Sequence, residues 1–501
     1  MSSAAALGKR MGTHRARAVR EVERDIAAAV DYRTWREAAL HRDRALGLDA
    51  WRALEPSRRY DWRSVRERVD TLRALRSRGD VAGLLNTLNE GIHGNISGIG
   101  QAQLYDKATF GTKDLIVEYV ELVADSLRDL AAQPSARLPD EEKLEFFERA
   151  STCFGRTALM LSGSGTLFFF HLGVVRALAQ QDLLPRVISG ASGGGLTCGV
   201  LGTTPREELL DALTPGRFRA FIREGGEKRE ESLLQTAIQR PGQLVAEVIP
   251  NDLTFREATE VSGLSINISV APADIHQTSR LLNEITAPSV LVRESVLAST
   301  ALPGALPPVT LASRRPDGGR QPFLPRQRWV DGSLSDDLPA KRLARLYGVN
   351  HFIVSQVNPH VVPFVTDAKI DRDVLSVVRR TTQRTLRELI NGTISLVHGP
   401  VSHRSRMAYR FNAALSVLNQ DYLGNVNIMP PRWTTNPLRL LAYRSPDEVE
   451  RLITWGERAT WPKIEMIRVQ TLIGRTLDEI LRRHRRRWSE TSRFESTAGI
   501  D

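Results

Sequence analysis

Residues 187–199 read VISGASGGGLTCG, and the fold turns on how that stretch is taken. A short apolar strand ending in VIS meets Gly190-Ala191-Ser192-Gly193-Gly194, and GLTCGVLG (195–202) then opens as a helix. This is G-x-S-x-G in strand–turn–helix context, a turn that exposes its serine at the carboxyl edge of a sheet. Small residues two before and two after Ser192 let strand and helix approach closely. A serine hydroxyl is a weak nucleophile and needs a base. Two other readings compete: Ser192 as a helix N-cap, or a glycine turn cradling a phosphate. The phosphate reading lacks the Lys-Ser/Thr of G-x-x-x-x-G-K-[ST]; the next basic residue is Arg206.

The flanks repeat the rhythm. RTALMLSGS (156–164) is an apolar strand entering a turn, and FFFHLGVVRALAQQ (168–181) has helical spacing. PRVISGAS (185–192) is the second strand. Strand–turn–helix twice in succession predicts an α/β fold with a mainly parallel sheet. SINISVAP (265–272) and HFIVSQVNP (351–359) read as further buried strands. PPVTLAS (307–313) and QRWVDGS (327–333) read as a hairpin around RRPDGGRQP (314–322). Before the core, residues 61–131 have helical periodicity, with Val65, Val69 and Leu72 on one face and Leu115, Tyr119, Val123 and Leu127 on another. A glycine-rich loop (91–113) interrupts them, and AAQPSARLPDEEK (131–143) reads as a linker. The tail beyond about 365 reads as helical, with a stripe of Ile464, Ile467, Leu472, Leu477 and Leu481. The expected divisions are a basic extension (1–60), a helical domain (61–150), a catalytic core (155–348), a last core strand with a helical extension (349–485) and a flexible tail (486–501).

With 41% hydrophobic and 25% charged residues, the composition is that of a globular protein. Cys153 and Cys198 form no C-x-x-C pair, which points to a reducing compartment. No secretory signal is legible at the N-terminus. The longest apolar runs, such as LFFFHLGVV (167–175), fall well short of the roughly twenty residues a spanning helix needs. The expectation is a cytoplasmic protein, not secreted and without a transmembrane helix. Net charge is +11. Cations cluster at Lys9, Arg10, Arg15, Arg17 and Arg20 and in RRHRRR (482–487), which suits a solvated face or an anionic membrane. No nucleic-acid module is present, so no nucleic-acid partner is expected. No metal-ligand spacing appears, and no cofactor is expected.

Acyl transfer also needs backbone N–H donors aimed at the developing oxyanion. Leu161-Ser162-Gly163-Ser164-Gly165-Thr166 is a small-residue turn at a helix start and can supply them. Read as a dinucleotide turn, it fails at Phe168, where a third glycine belongs. For the base, a histidine after the acid would complete a triad; His351, His360, His398, His403 and His484 are candidates. Asp331 in WVDGS, at a strand tip before a glycine, is the simpler choice, unless it is only a turn residue. Asp317 reads as a turn residue, and Asp336 and Asp337 as caps of DDLPAKRLARL (336–346). Phe168, Phe169 and Phe170 either pack the first helix or line a lipid entry, and His171 reads as structural. Trp455, Trp461 and Trp488 are interfacial anchors or core.

Taken together these residues resemble the patatin-like phospholipase family. Its signatures fall on Ser162–Thr166, on Gly190–Gly194 with Ser192, and on Asp331-Gly332. SVLASTALPGALPPV (295–309) is similar to the stretch that precedes the family's catalytic aspartate. YDWRSVRERVDTL, LYDKATFGTKDLIVEYV, RLLNEITAPSVL, FIVSQVNPHVVPF and GERATWPKIEMIR look like segments of one branch, the intracellular triacylglycerol lipases and lysophospholipid acyltransferases of fungi and plants. The resemblance implies a three-layer α/β hydrolase with a helical N-terminal domain and a helical C-terminal extension. It implies a Ser192–Asp331 dyad, elbow glycines Gly190 and Gly194, and oxyanion donors on Gly163, Ser164, Gly165 and Gly193. A glycerolipid ester would be the substrate, met at a membrane or lipid-droplet surface. Acyl transfer to a lysolipid, or lipid binding without catalysis, are the alternatives. Ser164 and Leu167 depart from the family's usual third glycine and following basic residue.

Overall fold

The computed structural model describes residues 19–92, 94–223, 233–240, 242–274, 277–357, 424–430 and 440–498, and of residues 334–335 and 486–498 the backbone alone. The chain divides into two units: residues up to Arg156 together with those from Trp461 onward, and Thr157–Thr460. The second boundary falls elsewhere than expected, because the residues from Trp461 group with the N-terminal helices.

The first unit is helical. Asp61 accepts the Ser64 N–H and Asp80 the Gly83 N–H, so Trp62–Arg78 and Val81–Gly91 each start on a carboxylate cap. Gly79, at φ 62°, ends the first of them. Val65, Val69 and Leu72 are buried, as are Leu115, Tyr119, Val123 and Leu127 on Asp114–Ala131. The glycine-rich loop is tied down by Asp43. Its buried carboxylate accepts the N–H groups of Thr109 and Phe110 at 2.9 and 3.0 Å and pairs with Arg52 at 3.2 Å. Asp140–Phe154 is one helix, so the expected linker shrinks to 132–139. In Pro446–Ala498, Ile464, Ile467, Leu477 and Leu481 are buried and Leu472 is half-buried. Among the described residues no helix is long and apolar enough to cross a membrane.

The second unit is built on a seven-stranded sheet. Its strands are β1 (Arg156–Leu161), β2 (Val187–Gly190), β3 (Ser265–Pro272), β4 (Arg280–Leu282), β7 (Trp329–Asp331), β8 (Val349–Ser355) and β9 (Val426–Ile428). Ala312–Arg314 (β5) and Arg320–Pro322 (β6) form a separate hairpin. The order across the sheet is β4-β3-β2-β1-β8-β9, with β7 also on β3. The β1–β2, β2–β3 and β8–β9 pairs are parallel; β4 and β7 run antiparallel to β3. The sheet is thus mostly parallel with flanking helices, the α/β class expected. Its central strands are buried on both faces, which is why they read as continuous apolar runs.

The expected hairpin of 307–313 with 327–333 is corrected. Those runs meet only at Val309 and Trp329, while Arg314 turns back onto Arg320 and Trp329–Asp331 joins the main sheet.

Candidate active site

Strand register brings Ser192 to Asp331. On β3, Ile268 pairs with Leu282 of β4 on one edge and with Gly190 of β2 on the other. Val270 pairs with Arg280 of β4 and with Asp331 of β7. A strand residue has one partner per edge, so β7 lies on the same edge as β2. The two strands point at each other end to end, two residues apart along β3, roughly 7 Å. Ser192, two residues past the end of β2, closes that gap.

The turn between them is strained and tight. Ser192 has φ 52° and ψ −120°, unusual for a residue with a side chain. A β-carbon on Gly190 would lie 2.3 Å from the Gly194 carbonyl, and one on Gly194 would lie 2.3 Å from Leu161 O. Strand and following helix can close on one another only with glycine at both places. Gly332 is required for the same reason, since a β-carbon there would meet Ser269 O at 2.3 Å.

Asp331 is buried, and the Ser192 side chain is close enough to pull its carboxyl pKa down. The Ser333 N–H donates to Oδ1 at 2.8 Å, and the Asp331 N–H is fixed to Ala301 O. Burial pushes the Asp331 carboxyl above the usual carboxylate range, against the opposing pull of the Ser192 hydroxyl and of the Ser333 N–H and hydroxyl. Ser192 and Ser333 are its described partners; no histidine is among them. His351 pairs with Thr157 Oγ1 at 3.2 Å on β8, and His484 belongs to the other unit. His360, His398 and His403 lie outside the described residues. Asp317 accepts the Gly319 N–H in the β5–β6 turn, as a turn residue does.

The turn at 162–166 requires a correction. The Gly163 N–H donates to the buried Asp337 carboxylate at 2.6 Å, so it is already engaged and is not an oxyanion donor. Asp337 is therefore a brace for this turn and not a helix cap; Ala340–Tyr347 starts after Pro339 without a side-chain cap, and Asp336 pairs with Arg342. Thr166 donates both its N–H and its hydroxyl to Leu440 O, at 2.8 and 3.1 Å, and accepts from Arg444 Nε at 3.1 Å. No described acceptor takes the N–H of Ser164, Gly165 or Gly193. These groups lie together: a β-carbon on Gly193 would sit 3.2 Å from Gly165 N and 2.4 Å from Ser164 Oγ. His171 is structural, as expected. It is buried between Ser355 Oγ (2.7 Å) and Ser162 O (2.9 Å), and desolvation pushes its pKa down to about 4, so the ring is neutral. A carbonyl only accepts, so Nε2 carries the proton.

A cavity of about 280 Å³ opens at Ser192 and Gly193. Its walls are apolar, among them Phe168, Leu196, Phe221 and Leu306, and Arg240 is the one charged residue among the described lining. Phe169 and Phe170 belong to the core, whereas Phe168 stacks on Phe169 at 4.3 Å and faces the cavity. Trp461 is buried and Trp455 half-buried; the Trp488 side chain and residues 9–17 are outside the described set.

Sequence reasoning missed Ser299. Its hydroxyl accepts the Ser192 N–H at 2.9 Å and donates to Ser269 O at 2.8 Å, so it braces the strained turn against β3. Its position within 295–309 was visible; its partners were not. Ser299→Ala leaves the Ser192 N–H without this acceptor and is expected to cost about 1–3 kcal/mol in urea unfolding. Unchanged stability would show that the brace contributes nothing to the fold.

A family model for patatin-like phospholipase matches residues 159–344, and a domain of unknown function, DUF3336, matches 12–152. The chain belongs to the patatin-like phospholipase family. A patatin-like phospholipase domain-containing protein of Aspergillus clavatus is 30% identical over 91% of this chain and 68% of its own length. One of Coccidioides immitis is 33% identical over 91% of this chain and 66% of its own. Triacylglycerol lipase 4 of Saccharomyces cerevisiae is 32% identical, over 88% of this chain and 50% of that one. The chain thus spans between half and about two thirds of the length of these relatives. VipD from Legionella pneumophila aligns at a TM-score of 0.30 with 14% identity, over 66% of this chain and 68% of that one, a likeness too slight to carry argument.

Proposed function

We propose that this chain hydrolyses carboxylic esters of glycerolipids through Ser192 and Asp331. A strained-turn serine whose side chain acts on a buried carboxylate, at the mouth of an apolar cavity, carries the reading. Ser192 Oγ attacks the ester carbonyl while its proton passes to Asp331. The carbonyl oxygen becomes an oxyanion, held by the N–H groups of Ser164, Gly165 and Gly193. Collapse expels the glyceride oxygen, which takes the proton from Asp331 and leaves as an alcohol. Water then gives a proton to Asp331 and its oxygen to the acyl carbon. A second collapse releases the fatty acid and returns the proton to Ser192. The apolar walls suit an acyl chain. The names of the relatives, phospholipase domain proteins and a triacylglycerol lipase, agree with an ester of this class. We place the encounter at a membrane or lipid-droplet surface, aided by the basic 482–487 run.

Emulsified triacylglycerol, phosphatidylcholine vesicles and p-nitrophenyl esters test the reading. Fatty acid or p-nitrophenol release is expected, with one fluorophosphonate bound per chain on the peptide containing Ser192. No release from any of the three, or a label elsewhere, overturns it.

A further inference from the structure

The turn at 162–166 carries three hydroxyls, and two have clear duties. Ser162 Oγ accepts the Val357 N–H at 2.8 Å. Thr166 Oγ is held between Leu440 O and Arg444 Nε. The third, Ser164 Oγ, is buried and has no hydrogen-bond partner among the described residues. A buried hydroxyl without a partner is disfavoured, and each such group in a folded protein calls for a cause. This one lies against Gly193, in the space a side chain at 193 would fill, beside the N–H of Gly165.

We propose that the Ser164 side chain is itself a catalytic residue, a second kind of donor to the oxyanion beside the backbone N–H groups. The inference rests on the Ser192 reading above. As negative charge grows on the carbonyl oxygen, the Ser164 hydroxyl turns its hydrogen toward it, and the hydroxyl's missing partner is supplied in the transition state. The bond is absent when the site is empty and strongest when the charge is largest, so it lowers the barrier more than it tightens substrate binding. The backbone at 164 has φ −147°, which alanine can adopt, so Ser164→Ala removes the hydroxyl and little else.

The test compares Ser164→Ala, Ser162→Ala and Ser192→Ala with wild type on a p-nitrophenyl ester, by thermal melting and by the rate of fluorophosphonate labelling. Ser164→Ala is expected to lower kcat on the order of 10- to 100-fold, leave KM within about twofold, slow labelling by a similar factor and keep Tm at or above wild type. Ser162→Ala, which loses a bond the fold uses, should lower Tm. A Ser164→Ala kcat within about twofold of wild type overturns the proposal, and so does a kcat loss accompanied by a fall in Tm like that of Ser162→Ala. If Ser192→Ala keeps its turnover, the parent reading fails. If only Ser164→Ala does, the parent reading stands and this inference alone falls.

Discussion

Ser192→Ala loses at least about 10³-fold of its ester turnover, because the substitution removes the attacking hydroxyl. Ser192→Gly is equally inactive but more stable than Ser192→Ala. The reason is the backbone. At φ 52° and ψ −120° alanine keeps the strain that serine bears, whereas glycine adopts this conformation freely. The difference should be about 1–3 kcal/mol, the usual size of such a strain, read as a shift in the urea midpoint of the two inactive variants. Equal stability of the two would mean that the turn is not strained. Turnover surviving in both would mean that another group attacks the ester. The two results answer different questions, since one concerns the turn and the other the chemistry it serves.

The fold was legible where a local pattern had one solution. Strand–turn–helix around Ser192 and around Ser162 could only be a parallel α/β arrangement, and apolar runs such as Ala158–Leu161 are indeed central strands. Legibility failed where a choice depended on partners distant in sequence. Trp329–Asp331 has two apolar surfaces open to it, the 307–313 run and β3, and the pattern of a three-residue strand cannot rank them. The candidate site divides in the same way. Ser192 and Asp331 were visible because each sits beside glycines whose absence of a side chain is forced by close backbone contacts. Gly163 looked like a free donor because its partner, Asp337, arrives from 174 residues away. Arg444 reaches Thr166 across 278 residues and from outside the span matched by the family model, so no local signal announced it. Ser299 stands in a stretch whose resemblance was noted, yet only the structure shows its hydroxyl on the Ser192 N–H.

Asp331→Asn separates what this carboxylate does for catalysis from what it does to the fold. Turnover is expected to fall by about 10³-fold or more, because an amide cannot accept the Ser192 proton. Stability moves the other way. Burial is the dominant influence on Asp331 and raises its pKa in the folded state, while in the unfolded chain it titrates near the ordinary aspartate value of about 3.9. The folded state therefore binds its proton more readily. Below the unfolded pKa the carboxyl is protonated in both states and carries no penalty. As pH rises through the folded pKa, the ionised group weakens the fold. The neutral amide of the variant has no such charge to bury. Its Tm should exceed wild type at neutral pH, and the gain should disappear as the solution is acidified toward the unfolded value. In wild type the same raised pKa sets the acid limb of kcat/KM, since only the ionised carboxylate takes the proton; that limb should lie above the usual carboxylate range. A variant less stable than wild type at neutral pH would mean that the pull of Ser192 and Ser333 outweighs the desolvation of the charge. An acid limb at an ordinary carboxylate pH would mean that some other group governs proton transfer. If both expectations hold, the site keeps its base at a continuing expense to the fold, and the charge that destabilises Asp331 is the one that makes it basic enough to activate Ser192.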